Sequence, residues 1–397
     1  MPVEFLLFGI TLAGVAVFHR QALPIAATGL VVVIAFEWLF TQFPAGPGAA
    51  GLAAHFAHEW VILVNLLLLL VGFALVAAHF EQSGLPAALP RHLPESWLGA
   101  FALLVIVFVV SGFLDNIAAA LIGGAMAHTL FRGKVSVGYI AAIVAASNAG
   151  GAGSVIGDTT TTMMWITGVS PLEVLHAYVA AVAALLVFGF SAARWQQRHA
   201  PIVRDSSAQG RTDWARVMIV AFVLASAVTV NVSVNIHWAG ITGDFPFIGA
   251  AVALSLLLTI GIRAPDWHAL PGAFKGSIFL LCLVALASLM PVERLPEASW
   301  KTALALGFVS AVFDNIPLTA LALKQGGYDW GVLAYAVGFG GSMLWFGSSA
   351  GVAICSMFPE ARSTGRWLRE GWLIGVAYVA GFAALLLTLG WQPSGRP

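Results

Sequence analysis

Long apolar segments, some of them interrupted by glycine and acidic residues, constrain the fold of this chain more than any other feature. Only 9% of its 397 residues are charged and 60% are hydrophobic, whereas about 25% are charged in an ordinary soluble domain. A water-soluble surface cannot be built from this composition. The sequence therefore predicts an all-α polytopic membrane protein surrounded by the lipid bilayer. It excludes a soluble enzyme and a nucleic-acid binder, so no nucleic-acid partner is expected.

Uninterrupted apolar segments are predicted to cross the bilayer directly. They are residues 3–18, 22–40, 60–80, 171–193, 216–236, 246–262, 273–290 and 371–390.

Four other stretches are apolar but contain polar or glycine-rich interruptions. Residues 98–130 are interrupted at Asp115-Asn116 and residues 300–325 at Asp314-Asn315-Ile316-Pro317. We interpret both as re-entrant hairpins. Residues 137–168 are interrupted at Asn148-Ala149-Gly150-Gly151, and residues 331–352 carry a Gly and Ser cluster. We interpret these two stretches as broken helices, which lipid tolerates only where the break is buried or lines water.

The two halves of the chain share a motif. The string Ser111-Gly-Phe-Leu-Asp115-Asn116-Ile117 recurs as Ser310-Ala-Val-Phe-Asp314-Asn315-Ile316, and Gly150-Gly151 followed by Gly157 recurs as Gly340-Gly341 followed by Gly347. Each half then has five transmembrane helices, one of which is the broken helix, and one hairpin. Because five is odd, the second half is predicted to be inverted relative to the first. The predicted repeats are residues 1–193 and 216–397, joined by a cytoplasmic Arg-rich linker at 194–215.

The placement of Lys and Arg predicts the orientation, because cytoplasmic loops are enriched in both. Most of the 18 cations fall in loops that this topology places inside, among them Arg20, Arg91 and the Arg residues of the linker. The loops placed outside hold only Arg294, Lys301, Lys324 and Arg396. Both termini are therefore predicted to lie outside.

Three acidic residues fall in the interruptions, whereas the others can be placed in loops or near the ends of spans. These three are Asp115, Asp158 and Asp314. An ionised carboxylate at mid-membrane costs roughly 2.5 to 3.5 kcal/mol, so a functional role is the default interpretation. No Lys or Arg lies in the predicted core. The compensating charge must come from a bound cation, from protons or from helix N-termini.

Neutral oxygen atoms surround these acids along the sequence. The candidate ligands are the side chains of Asn116, Asn148, Thr160, Thr161, Ser310, Asn315 and Ser348 and the carbonyl groups of Gly150, Gly151, Gly340 and Gly341. Hard oxygen ligands without sulfur suit an alkali cation. Because Asp158 aligns with Ser348, the first half has one more carboxylate. The stronger predicted Na⁺ site is therefore Asp115, Asn116, Asn148 and Asp158, and no cofactor is expected.

Leu114-Asp115-Asn116, Ser147-Asn148-Ala149-Gly150-Gly151-Ala152 and the string from Ile156 to Ile166 resemble the NhaD-type sodium/proton antiporters. This family falls within the ion transporter superfamily, together with arsenite permeases and citrate or dicarboxylate carriers. Asp314-Asn315-Ile316-Pro317 and Gly340 to Ser348 fit the pattern of its second half. The chain departs from the family after the first Asp-Asn pair, where Ile117-Ala118-Ala119-Ala120 replaces a Thr-rich run.

The resemblance implies an inner-membrane homodimer with scaffold and transport domains and an elevator-like movement. It also implies functional roles for residues at matching positions, which are Asp115, Asn116, Asn148, Asp158, Thr160, Thr161, Ser310 and Asn315. The leading hypothesis is exchange of Na⁺ or Li⁺ for H⁺.

The alternative within the superfamily is a sodium- or proton-coupled carrier of an anion such as citrate, a dicarboxylate or arsenite. An intramembrane aspartyl protease also needs paired membrane Asp residues. Its Gly-x-Gly-Asp motif is absent here, because Val155-Ile156 precedes Gly157-Asp158. An HExxH metalloprotease motif is also absent, so an enzyme is not expected.

Overall fold

The structure is a computed structural model. In the part of the chain that it describes, the regular secondary-structure elements are helices. The described residues are 2–18, 21–88, 93–202, 212–237, 241 and 244–394. A helix satisfies its backbone polar groups within its own segment, which is what an apolar chain in lipid requires. The predicted all-α fold class is thus confirmed.

The first half forms α1 to α10 in chain order. Their bounds are α1 Val3–Val17, α2 Ala22–Phe40, α3 Gly48–Gln82, α4 Leu85–Ala88, α5 Trp97–Ser111, α6 Asn116–Leu130, α7 Val137–Ala152, α8 Thr159–Ile166, α9 Pro171–Leu175 and α10 Ala177–His199.

The second half forms α11 to α18, with short 3-10 turns between some of them. Their bounds are α11 Trp214–His237, α12 Phe247–Thr259, α13 Leu270–Ser288, α14 Trp300–Ser310, α15 Asn315–Gln325, α16 Trp330–Gly340, α17 Ser349–Met357 and α18 Thr364–Leu389.

Six segments of the described chain are long and apolar enough to cross a membrane. They are Ala22–Phe40, Gly48–Gln82, Pro171–His199, Trp214–Val234, Trp267–Ser288 and Thr364–Leu389. The predicted spans 3–18 and 246–262 correspond to helices of only 15 and 13 residues, shorter than the roughly 20 residues that a span needs. That these two cross the membrane stays a prediction. The predicted span 60–80 is part of a longer helix that begins at Gly48.

The helices pack into two bundles. The first bundle consists of α1, α2, α3, α11, α12 and α13, in which α3 packs against α11, α12 and α13. The second bundle contains the interrupted stretches together with α10 and α18, and α7 lies at its centre against α5, α6, α10 and α18. The two bundles meet mainly where α15 packs against α13, with smaller contacts from α3 to α6 and α8. Both bundles therefore draw helices from both halves of the sequence.

The interruptions predicted at the two Asp-Asn pairs are present. α5 ends at Ser111 and α6 begins at Asn116, and α14 ends at Ser310 before α15 begins at Asn315. Pro317 lies in the first turn of α15, where a backbone N–H would have no helical partner in any case. Each Asp therefore immediately precedes a helix rather than interrupting one. That each hairpin returns to the side of the membrane from which it enters, with the two hairpins on opposite sides, stays a prediction.

The position predicted for the interruption of the first broken helix is wrong. α7 continues through Asn148, Gly150 and Gly151 to Ala152, and the chain leaves the helix only at residues 153–158. The reason is packing. A Cβ atom on Gly150 would overlap the backbone carbonyl of Phe108 in α5, so glycine at this position allows two helices to touch rather than breaking one.

The second broken helix follows the same plan as the first. α16 continues through Gly340, and a 3-10 turn at Gly341–Met343 precedes the non-helical residues 344–348. A Cβ atom on Gly340 would overlap the Gly307 backbone, as one on Gly150 would overlap that of Phe108.

The residues that precede the matching helices have matching backbone conformations. Asp115 and Asp314 both have φ −52° and ψ 142°. Asp158 has φ −145° and ψ 142°, and Ser348 has φ −139° and ψ 152°. The sequence repeat is therefore also a repeat of local structure. The inversion of one half relative to the other stays a prediction.

The linker is shorter than the predicted range 194–215, because α10 continues to His199 and α11 begins at Trp214. Its residues 203–211, like Arg20, Arg91 and Arg396, lie outside the described residues.

At the end of the linker, the Asp213 carboxylate accepts a hydrogen bond of 2.8 Å from Arg263. This guanidinium holds the pKa of Asp213 below its usual range. The bond connects the start of α11 with the loop after α12.

Candidate functional site

The three acidic residues singled out by the sequence each cap the N-terminus of a helix. Asp115 accepts a hydrogen bond of 3.1 Å from the backbone N–H of Ile117, and Asp158 accepts one of 3.0 Å from that of Thr160. Asp314 caps α15 in the same way. Unpaired N–H groups and the helix dipole favour a carboxylate at such a position. Helix N-termini are one of the three sources of compensation that the sequence left open, and this geometry places one at each acid.

A chain of side-chain hydrogen bonds connects the two halves at the centre of the molecule. The Asn116 amide donates to Asn148 Oδ1 at 3.1 Å and to Asp158 Oδ2 at 3.3 Å. The Asn148 amide in turn donates to Ser342 Oγ at 2.9 Å and Ser348 Oγ at 3.1 Å. All five side chains are buried. Residues from α6, α7 and the starts of α8 and α17 thus form one polar cluster.

Within the described part of the chain, two buried polar atoms near this cluster have no hydrogen-bond partner. They are Thr160 Oγ1 and Asn315 Nδ2, and both side chains are at most 3% exposed. An unpartnered buried polar group costs about 1 to 3 kcal/mol, so native proteins keep few of them. The Thr160 hydroxyl lies beside the Asp158 carboxylate and acts on it, so the two groups are suited to receive a cation or a water molecule together.

A cavity of about 370 Å³ opens beside the cluster, and we call it the site cavity. Asp115, Asn116, Asp158 and Asn315 line it, and so does Glu81 from α3. Among the described residues that line it there is no Lys or Arg. Its lining therefore combines carboxylates and amides without a cationic side chain, which favours a cation over an anion.

The acidic residues of this region influence one another. The charges of Asp115 and Asp314 both act on Asp158. Asp314 is also held by the Ser349 hydroxyl, which donates to it at 3.1 Å. Carboxylates that interact in this way do not behave independently, so the charge state of Asp158 depends on those of its two neighbours.

Two predicted ligands, Ser310 and Thr161, donate their hydroxyl protons to backbone carbonyl groups. Ser310 donates to the Val337 carbonyl at 2.7 Å, as its counterpart Ser111 donates to that of Ser147 at 2.6 Å. Thr161 donates to carbonyl groups at the start of α8. These bonds hold the ends of the interrupted helices in place. Coordination of a cation by either hydroxyl stays a prediction.

The four predicted backbone ligands lie at close contacts between segments. Gly151 approaches the Gly157 carbonyl and Gly341 approaches that of Gly347, and a Cβ atom at either position would come within 2.8 Å of it. The Gly150 carbonyl already accepts a hydrogen bond of 3.1 Å from Tyr178. The structure therefore gives these glycines a packing role, and a role in binding ions stays a prediction.

Two residues of the site were not singled out by the sequence. Ser342 bonds to Asn148, and its counterpart in the first half is Ala152, so the repeat did not indicate it. The serine beside Gly341 in a glycine-rich stretch was the available signal. Glu81 lies at the end of α3 near no motif, and only the packing of α3 brings it to the site cavity.

The similarity of this chain to known proteins extends over most of its length. No protein-family model matches it. It is 26% identical to sodium/proton antiporter 1 of Arabidopsis thaliana, over 94% of this chain and 71% of the relative. It is 26% identical to Na⁺/H⁺ antiporter NhaD of Vibrio parahaemolyticus, over 84% and 92%. The corresponding protein of Alkalimonas amylolytica is 24% identical, over 92% and 85%.

Proposed function

This chain is a relative of the NhaD-type sodium/proton antiporters, and we therefore propose that it exchanges Na⁺ for H⁺ across a membrane. The observation that carries the proposal is the site cavity, where Asp115, Asp158 and Glu81 meet amide groups without a cationic side chain among the described lining residues. The activity follows from competition between Na⁺ and protons for the same carboxylates.

The proposed cycle uses Asp158 as the main cation ligand. When the carboxylates are protonated, the site is close to neutral and holds no metal ion. Na⁺ binds when the protons leave to water in the site cavity, and it takes oxygen ligands from Asp158, Asn116 and Thr160. Entry of protons from the other side of the membrane reverses these steps. Li⁺ is smaller and equally hard, and the proposal includes it as a second substrate.

A carrier of anions is the weaker candidate. Citrate and other carboxylates would meet the negative charges of Glu81, Asp115 and Asp158 in a region of low dielectric constant, where like charges repel strongly. The cluster offers donors at Asn116 and Asn148, but these amides are already bonded to oxygen atoms.

For the movement that carries the site across the membrane, we propose an elevator-like displacement of the second bundle along the first. Support comes from the apolar side chains that α3 presents at the boundary, including Leu66, Leu69 and Phe73 in the lining of the site cavity. Apolar surfaces of this kind can slide past one another, whereas the hydrogen bonds from Lys324 of α15 to the Ser288 and Met290 carbonyls of the first bundle would have to break. The same proposal includes the inverted repeat, the homodimer, the inner-membrane location and the outside position of both termini.

The test is proton efflux from acidified, everted membrane vesicles that contain the protein. We expect efflux on addition of NaCl or LiCl and none on addition of citrate or arsenite as choline salts. Vesicles from cells without the protein are the control. Uptake of citrate or arsenite coupled to Na⁺ or H⁺, without Na⁺-driven proton efflux, would replace the exchange proposal with the anion carrier.

A further inference from the structure

A second cavity, which we call the far cavity, lies between the same two bundles. Its volume is about 550 Å³. Its lining includes the polar side chains of Glu59, Asn65, Asn231 and Lys324. It shares the long helix α3 with the site cavity, since residues 58–65 of α3 line the far cavity and Leu66 to Glu81 line the site cavity. The two cavities therefore lie toward opposite ends of a helix that spans the membrane.

The short helix α8 separates the two cavities. Thr159 and Thr162 in its first part line the site cavity, whereas Met163, Trp165 and Ile166 in its last part line the far cavity. Eight residues of α-helix are only about 12 Å long. The barrier between the two cavities is therefore much thinner than the roughly 30 Å hydrocarbon layer of a bilayer.

The far cavity is suited to hold water. Trp165 lines it and is 2% exposed, yet its indole N–H has no hydrogen-bond partner among the residues that the structure describes. A buried donor of this kind needs an acceptor. The cavity has polar walls and room for many molecules of about 30 Å³ each, so water can supply that acceptor.

The side chains of Lys324 and Glu59, which carry opposite charges in the far cavity, have different surroundings. The Lys324 ammonium donates to the carbonyls of Ser288 and Met290 at 2.6 Å each, at the end of α13. Glu59 is the one acidic residue among the described residues that line the cavity, and His58 and Lys324 act on it electrostatically. Glu59 lies about 33 Å from Glu81 along α3, given a rise of 1.5 Å per residue. The far cavity thus has its own carboxylate, well separated along α3 from Glu81 in the site cavity.

We propose that the far cavity is a preformed aqueous route from the membrane face opposite the site cavity, and that Glu59 attracts the transported cation there. Glu59 then determines the apparent affinity for Na⁺ on that face only. The proposal rests on the proposed exchange of Na⁺ for H⁺. A general structural role for Glu59 would instead change the apparent affinity for Na⁺ on both faces of the membrane.

The first test measures the KM for Na⁺ on each face separately, in right-side-out and in everted vesicles. For Glu59→Gln we expect KM to rise roughly threefold on the far-cavity face, the effect of one unit charge about 7 Å from the ion in water, without a change on the other face. High choline chloride should reduce the difference, because salt screens exposed charges.

Two variants provide the controls. Glu59→Asp keeps the charge and should retain the wild-type KM. Glu293→Gln removes an exposed acid that does not line the far cavity, and should leave both KM values unchanged. Equal changes on the two faces, or no change on the far-cavity face, would overturn the role of Glu59.

The second test does not depend on transport. In a background without Cys282 and Cys355, Thr167→Cys reports on the far cavity and Ala78→Cys on the site cavity. A membrane-impermeant maleimide should label the two cysteines from opposite faces. Labelling of both from one face, or no labelling of Thr167→Cys, would overturn the route. Absence of exchange by the wild-type protein would instead contradict the proposed function, and labelling would still decide the route.

Discussion

At the scale of single residues, the side chains of the central cluster have two different roles. Asn148 carries the hydrogen bonds that join the two halves, and Asn116 connects it to the charge of Asp158. Its counterpart Ser348 occupies the equivalent cap with a neutral hydroxyl. The two halves therefore present chemically different sites on similar backbones. This asymmetry makes the charge of Asp158 the property to test.

The first prediction is that Asp158→Asn abolishes Na⁺-driven proton efflux without unfolding the protein. Asn is as good an N-cap as Asp, so α8 should still begin at Thr159, whereas the exchangeable proton and the negative charge are lost. Efflux in everted vesicles measures activity, and thermal unfolding in detergent measures folding. Saturable exchange by this variant would remove Asp158 from the mechanism.

At the scale of helices, small residues decide how closely the interrupted segments approach one another. Gly340 lies against Gly307, and Gly150 lies against Phe108. These contacts hold α14 on α16 and α5 on α7, so they support the non-helical turns on which the acids sit.

The second prediction compares two glycine substitutions. Gly340→Ala should lower the thermal stability strongly, by roughly 2 kcal/mol or more in the free energy of unfolding, because the added methyl overlaps backbone. Gly9→Ala meets nothing within 4 Å and should be neutral or stabilise by up to about 1 kcal/mol. Thermal unfolding of both in detergent is the measurement. Equal stability of the two variants would show that the contact at Gly340 is not tight.

A third prediction concerns the end of α15. Lys324→Met keeps the aliphatic stem but removes the donor to the Ser288 and Met290 carbonyls, and should lower stability by about 1.5 to 3 kcal/mol. Lys324→Arg, which retains charged donors, should lose less. If Met and Arg lower the melting temperature equally, the hydrogen bonds to these carbonyls do not hold α15 on α13.

At the scale of the whole molecule, the two cavities lie at the boundary between the bundles, and the site sits where the bundles meet. α15 contributes Asn315 at one end to the site cavity and Lys324 at the other end to the far cavity. Any relative movement of the bundles must therefore change the contact of α15 with α13. Leu321 of α15 packs in one apolar cluster with Leu286 of α13.

The fourth prediction is that a flexible bismaleimide between cysteines at Leu321 and Leu286 blocks exchange, because it joins the two bundles. A matched cross-link between Val33 and Leu283, which pack in the same cluster but both belong to the first bundle, should leave exchange largely intact. Both pairs are introduced in a cysteine-free background, and efflux is measured before and after cross-linking. Full exchange with Leu321 and Leu286 linked would contradict the proposed displacement.

The sequence by itself determined the helical fold and the identity of the central acids. Lipid leaves the backbone no partners, so apolar segments must be helices, and a carboxylate in such a segment is too costly to be incidental. Only the tertiary structure decided that Asn148 bonds to Ser342, that Glu81 reaches the site cavity, and that Gly150 lies inside a helix. These features depend on contacts between segments far apart in the chain. Hydropathy and local motifs record the polarity of each segment but not which surfaces pack together.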